Sequence, residues 1–348
     1  MADHSAPAVA GRSRRPWNLI VAVLLAAIVL STFAEGQKPD SVTFLTSFFL
    51  HNGGWTPLYA GVQKGIFKKH GIDLKIELGR GSASVATQLA GGAAQFAQID
   101  FLSGVVAISK GAKITFVSTY YQKYIAGLCS MEGGKVIRSF EDLKDLKIGA
   151  SAGDAFVQVL PALTTTKFNH VVIEPASYLP ALLSGQVDAI TVAVYNLPRQ
   201  QANAARQGKK LACFFYGDHG VKLLSDTLAT RNDVLQSNPD LVKRFVTAFA
   251  ESMAWSVKNP EEAVGLYLGA TPEIPAADRD IYLSTFKSVI GFYHDATSPD
   301  EWFVIPQAKV AYTVDVATRF FGAGKVAPTD VVDNKFAEGL PAEWRRMK

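Results

Sequence analysis

Two loops of this chain carry residue types suited to holding a small ligand. Gly79-Arg80-Gly81-Ser82 can aim backbone N–H groups at an anion or carbonyl, with Arg80 adding charge and Ser82 serving as contact or N-cap. Ser151-Ala152-Gly153-Asp154 repeats the pattern with an acidic end, which reads as a cap unless the ligand carries an amino group. Trp55, after the turn-like His51-Asn52-Gly53-Gly54, offers an aromatic plate for a planar ligand, or else a core tryptophan. Asp100 reads equally as a cleft residue and as the cap of the following helix. Tyr120 and Tyr121 fall where the chain passes between two halves. Tyr195 and Asn196 close a strand, and the Asn196 amide can donate and accept to a heterocycle or shape a turn before Pro198. The candidate contacts are therefore Asn52, Trp55, Arg80, Gly81, Ser82, Asp100, Tyr120, Ser151, Gly153, Asp154, Tyr195 and Asn196.

Catalytic patterns do not emerge from the same residues. No G-x-S-x-G elbow or H-E-x-x-H is present, the glycine loop lacks the lysine of a P-loop, and six His with two Cys show no metal-ligand spacing. The expectation is a binder without cofactor or metal, and not an enzyme. Cys129 and Cys213 both fall in expected strands and are left open as a pair or as two buried thiols.

The elements needed to position these loops alternate. Strands are expected at 42–49, 72–78, 94–99 and 114–119, with helices at 56–64, 82–90 and 102–110. A second set places strands at 125–130, 147–150, 171–173, 187–193 and 211–216, with helices from about 154 and at 179–183. Such alternation predicts two α/β lobes with largely parallel sheets. Beyond residue 238 the pattern turns helical at 241–255, 276–290 and 308–321, and Asn238-Pro239 and Asn259-Pro260 read as N-caps followed by proline. The two sets echo each other: residues 75–82 match 147–154, and residues 89–99 match 182–192. Each lobe thus presents a helix N-terminus beyond a strand's carboxyl end, where open α/β sheets bind ligands. Two such lobes facing each other form a clamp.

Residues 1–34 read as an export leader. Arg12, Arg14 and Arg15 precede an apolar run over 19–30 and a small-residue cut after Ala34, and Ser13-Arg14-Arg15-Pro16-Trp17 resembles a twin-arginine signal. The run is short of the roughly 20 residues that span a bilayer. The leader carries half of the formal +4 charge, so the remainder is nearly neutral and nucleic acid is excluded as the main partner. With 48% apolar residues and 19% charged, the remainder is globular rather than disordered.

Trp-Thr-Pro-Leu-Tyr-Ala-Gly-Val-Gln-Lys-Gly-Ile-Phe-Lys-Lys-His-Gly-Ile-Asp-Leu-Lys-Ile-Glu-Leu over 55–78, the segment 79–100 and the closing Val331-Val332-Asp333-Asn334-Lys335-Phe336 resemble the periplasmic solute-binding proteins of ABC importers for thiamine-precursor pyrimidines, sulfonates and nitrate. The resemblance implies a type II periplasmic binding fold, with one lobe from 38–120 and 219–348, the other from 121–218, and two hinge crossings. It implies a monomer in the periplasm that captures a small organic solute, aromatic or heterocyclic, or a sulfonate or carboxylate. Permease and ATPase subunits are the implied partners. The alternatives are an enzyme of the related thiamine-pyrimidine synthase type and a periplasmic sensor.

Overall fold

A computed structural model describes residues 1–2, 38–48, 51–295 and 301–347. Residues 3–34 of the expected leader and Phe49 lie outside the described residues. Residues 39–348 form one compact unit.

Among the described residues, ten strands make two five-stranded sheets. The first holds β1 (Asp40–Thr46), β2 (Ile72–Leu78), β3 (Phe96–Asp100), β4 (Ile114–Thr119) and β10 (Asp226–Arg231), in the order β2-β1-β3-β10-β4. The second holds β5 (Ala126–Met131), β6 (Lys147–Ala150), β7 (Asn169–Val172), β8 (Ala189–Ala193) and β9 (Leu211–Phe215), in the order β7-β6-β8-β5-β9. The chain therefore passes from one sheet to the other twice, after β4 and after β9.

Both sheets are mixed, which corrects the expectation of largely parallel ones. In each, the strand in fourth place runs against its neighbours: β10 is antiparallel to β3 and β4, and β5 is antiparallel to β8 and β9. The sequence carries no strand pattern for β10 because Asp-Thr-Leu-Ala-Thr-Arg is half polar. Its first five residues are nevertheless buried, and the threonine hydroxyls are satisfied locally, Thr227 donating to the Ile99 carbonyl and Thr230 to that of Gln95. The echo is corrected in part. Segments 89–99 and 182–192 lead into β3 and β8, which share third place, whereas 75–82 and 147–154 end β2, an edge strand, and β6, a second-place strand.

The core over the first sheet is organised by the helix Pro239–Lys258. Asn238 caps it by accepting the Leu241 N–H at 3.0 Å, with Pro239 in the first turn. Its buried Leu241, Val242, Phe245, Val246, Phe249 and Met253 recur at helical spacing, and Phe245 stacks on Phe96 at 3.9 Å between centroids. Asn259 stands at the expected N-cap position before Pro260, but its side chain does not cap that helix and instead donates back to the Trp255 carbonyl at 2.9 Å, at the end of the preceding one. In the second sheet, Cys129 and Cys213 face each other across β5 and β9 and are joined as a disulfide, which resolves the question their spacing left open.

Candidate functional site

The carboxyl ends of β3 and β8 and the loops beyond β2 and β6 converge on a cavity of about 510 Å³, lined from both sheets. From the first sheet come Arg80, Gly81, Ser82, Asp100, Ser103 and Asp226; from the second come Ser151, Gly153, Asp154, Tyr178, Tyr195 and Asn196. Nine of the twelve candidates thus stand on one cavity, although the glycine loop and Ser82 do not act as expected.

The glycine loop does not form an anion cradle. Gly79 N–H donates to the Thr46 carbonyl at 3.0 Å and Gly81 N–H to that of Ser47 at 2.9 Å, so both donors are spent on the end of β1. Its glycines are needed for other reasons. A Cβ on Gly79 would stand 2.3 Å from the Thr46 carbonyl oxygen, and Gly81 has a φ of +89°. Ser82 is the first residue of the helix Ser82–Ala90 rather than its cap, and its hydroxyl accepts the Asp100 N–H at 3.0 Å. Arg80 lines the mouth of the cavity, exposed.

Asp100 fulfils both of its readings. It lines the cavity and caps the helix Phe101–Ser109, one carboxylate oxygen accepting the Ser103 N–H at 2.9 Å and its hydroxyl at 2.8 Å. Burial raises its pKa, and the Ser103 hydrogen bonds oppose the rise. Asp154 is a cap: it accepts from the Phe156 N–H at 2.8 Å, the Thr191 hydroxyl at 2.7 Å and the Tyr178 hydroxyl at 2.9 Å. The Tyr178 oxygen also accepts the Ser151 N–H at 2.7 Å, which ties both ends of that loop to one side chain.

Three candidates are corrected. Trp55 is 2% exposed and lies in the core, its indole N–H donating to Gln98 Oε1 at 2.7 Å. The indole has a buried acceptor within reach, so it packs behind the site instead of stacking in it. Asn52 is 7% exposed and caps the short turn Gly53–Trp55 by accepting the Gly54 N–H at 2.9 Å. Tyr120 is 2% exposed among Tyr121, Phe249 and Tyr293.

Asp226 is a cavity-lining residue that the sequence alone did not single out. It stands opposite Asp100 across β10 and β3, lines the cavity and is 6% exposed. One oxygen accepts from Gln98 Nε2 at 2.8 Å, which completes a chain Trp55–Gln98–Asp226 running from the core to the cavity floor. Burial lifts its pKa to about 7, the nearby Asp100 adding to the rise and the Gln98 amide opposing it. The half-polar run Asp-Thr-Leu-Ala-Thr-Arg gave no sequence signal for it, since its burial appears only in the fold.

The riboflavin-binding protein RibY of Chloroflexus aurantiacus is 22% identical over 258 residues, 72% of either chain. The 4-amino-5-hydroxymethyl-2-methylpyrimidine phosphate synthase THI5 of Saccharomyces cerevisiae is 22% identical over 260 residues, 68% of this chain and 73% of its own. Among solved structures, the periplasmic aliphatic sulphonate binding protein SsuA from Escherichia coli matches at a TM-score of 0.64 and 15% identity, covering 85% of this chain and 92% of that one, which shows the two-lobed periplasmic binding fold. A family model described as NMT1/THI5 like matches residues 52–263, and the chain belongs to that family.

Proposed function

We propose that this protein is the solute-binding component of an ABC importer, exported to the periplasm by residues 1–34. It captures a small organic solute between a lobe of residues 38–120 and 219–348 and a lobe of residues 121–218, and delivers it unaltered to a membrane permease served by ATPase subunits. The observation that carries the reading is a single cavity of about 510 Å³ lined from two sheets that the chain links twice. Contacts from both sides exist together only when the halves are closed, so binding energy drives closure.

The crossings suit a hinge. A Cβ on Gly217 would stand 2.7 Å from the Tyr124 carbonyl oxygen, so the second crossing presses on the first. Gln122 and Lys309 clamp the first to the C-terminal region: the Gln122 amide donates to the Val304 carbonyl at 2.7 Å, and Lys309 Nζ donates to the Gln122 carbonyl at 2.8 Å. The Cys129–Cys213 disulfide fits an oxidising compartment. Among the described residues no helix is long and apolar enough to cross a membrane.

A synthase is the second reading, favoured by the THI5 relative. One experiment separates the two. Solute retained on purification is identified by mass spectrometry, removed, and returned while small-angle scattering is recorded. A more compact profile with the solute recovered unchanged is expected; an unchanged profile, or a chemically altered solute, refutes the receptor.

A further inference from the structure

Resting on the receptor reading, a finer question is what kind of solute the cavity accepts. Its floor is built to receive hydrogen-bond donors. Asp226 is 6% exposed and gives one oxygen, Oδ2, to Gln98 Nε2 at 2.8 Å. Gln98 is held in that orientation because its own Oε1 accepts the Trp55 indole N–H at 2.7 Å. Among the described residues nothing donates to Asp226 Oδ1. Across the strand pair, Asp100 commits Oδ1 to both donors of Ser103, and its Oδ2 is likewise without a donor. Two acceptor oxygens on facing residues of neighbouring strands therefore remain for whatever enters.

Some of the donors that could hold an anion are committed within the protein, while the N–H groups of Ser82, Ala83 and Ser84 open the helix Ser82–Ala90 at the cavity. The N–H groups of Gly79, Gly81, Asp100, Ser103 and Phe156 all bond within the protein. Asp154, across the cavity, adds a third carboxylate and accepts three hydrogen bonds. Against these stands Arg80 at the mouth. Among the described residues no three acidic, histidine or cysteine side chains are arranged to hold a metal ion, so the acceptors suit an organic cation.

We infer that the solute carries a cationic nitrogen centre with at least two N–H donors, an ammonium or amidinium, seated on Asp100 and Asp226, and that the cavity discriminates against sulfonates and carboxylates lacking one. An amidinium or ammonium can donate one N–H to each of two oxygens on adjacent strands, whereas an anion meets two carboxylates.

The test uses three probes of one ring size, benzamidine, benzoate and benzenesulfonate, titrated calorimetrically into the purified protein at pH 8, alongside Asp226→Asn and Asp100→Asn. Benzamidine is expected to bind at least tenfold more tightly than either anion, and each substitution to weaken it at least tenfold. Circular dichroism melts of both variants establish that they are folded. Equal or tighter binding of an anion, binding of none of the three, or benzamidine affinity unchanged in folded Asp226→Asn overturns the inference. The two readings fail separately. Benzenesulfonate captured with a more compact scattering profile leaves the receptor and removes the cationic seat. Benzamidine bound through Asp226 with no change in profile leaves the seat and removes the receptor.

Discussion

Asp226→Asn should make the solute-free protein more stable at neutral pH while weakening its site. The carboxyl is buried, and its pKa stands at about 7 against an ordinary 3.8. With about 1.4 kcal/mol for each tenfold change in proton affinity, holding this group ionised in the fold costs on the order of 4 kcal/mol. The groups around it do not relieve that cost. Asp100 on β3 repels it, the Gln98 amide donates one hydrogen bond, and Tyr120, Tyr121 and Tyr195 contribute neutral phenols.

The sign follows from the direction of the shift. The fold favours the protonated acid, so its stabilising contribution is complete below about pH 4 and is lost as pH rises through about 7. Asparagine keeps the acceptor for Gln98 and has no proton to lose. Guanidinium unfolding curves between pH 4 and 8 should show the two proteins within about 0.5 kcal/mol at the acid end and the variant ahead by about 2 to 4 kcal/mol at pH 8. For a chain of this size that is on the order of 5 °C in melting temperature. A difference that stays constant across the range, or a variant less stable at pH 8, refutes the reasoning.

Trp55→Phe removes the donor to Gln98 and should cost about 1 to 3 kcal/mol in chemical unfolding, the scale of a buried acceptor left unpaired; a neutral result would place the indole elsewhere. Gly79→Ala drives a methyl to 2.3 Å from the Thr46 carbonyl and 2.2 Å from Val85, and should lower stability by about 1 to 3 kcal/mol, whereas Gly153→Ala, with nothing within 4 Å of the added carbon, should melt within about 1 °C of the parent. Reducing Cys129–Cys213, which spans 84 residues, should lower the unfolding free energy by about 4 kcal/mol, read from denaturation with and without reductant.

The sequence made the strand-and-helix alternation legible because most strands are apolar runs bounded by glycine, and the limits of β2, β4 and β6 coincide with their expected residues. Site residues that lie on loops at helix starts were legible for the same reason: Gly81, Ser82, Asp100, Ser151 and Asp154 sit where an N-cap or a turn is written locally. Trp55, Asn52 and Tyr120 were misplaced because a loop-like flank does not report what the rest of the chain packs over it. Trp55 needs Gln98, on a strand 43 residues away, to satisfy its N–H. Asp226 was invisible for the complementary reason. Its strand is fixed between β3 and β4, beside which the chain returns only after visiting the other sheet.

The position of that strand also bears on how a seated solute could be felt at the hinge. Asp226 is the first residue of β10, immediately after the second crossing, and its carbonyl accepts the Tyr120 N–H at 3.0 Å, at the start of the first crossing. Ser225, one residue earlier, accepts the Phe101 N–H at 3.1 Å, at the start of the helix that Asp100 caps. One residue therefore offers its side chain to the cavity and its backbone to both crossings. The fourth strand of the second sheet, β5, also runs antiparallel and follows the first crossing directly. In both halves the reversed strand is the one that returns from the partner half. In each half the mixed character of the sheet thus lies in the strand by which the chain arrives from the other. That arrangement places Asp226 where a side chain lining the cavity and a backbone carbonyl holding the first crossing belong to one residue.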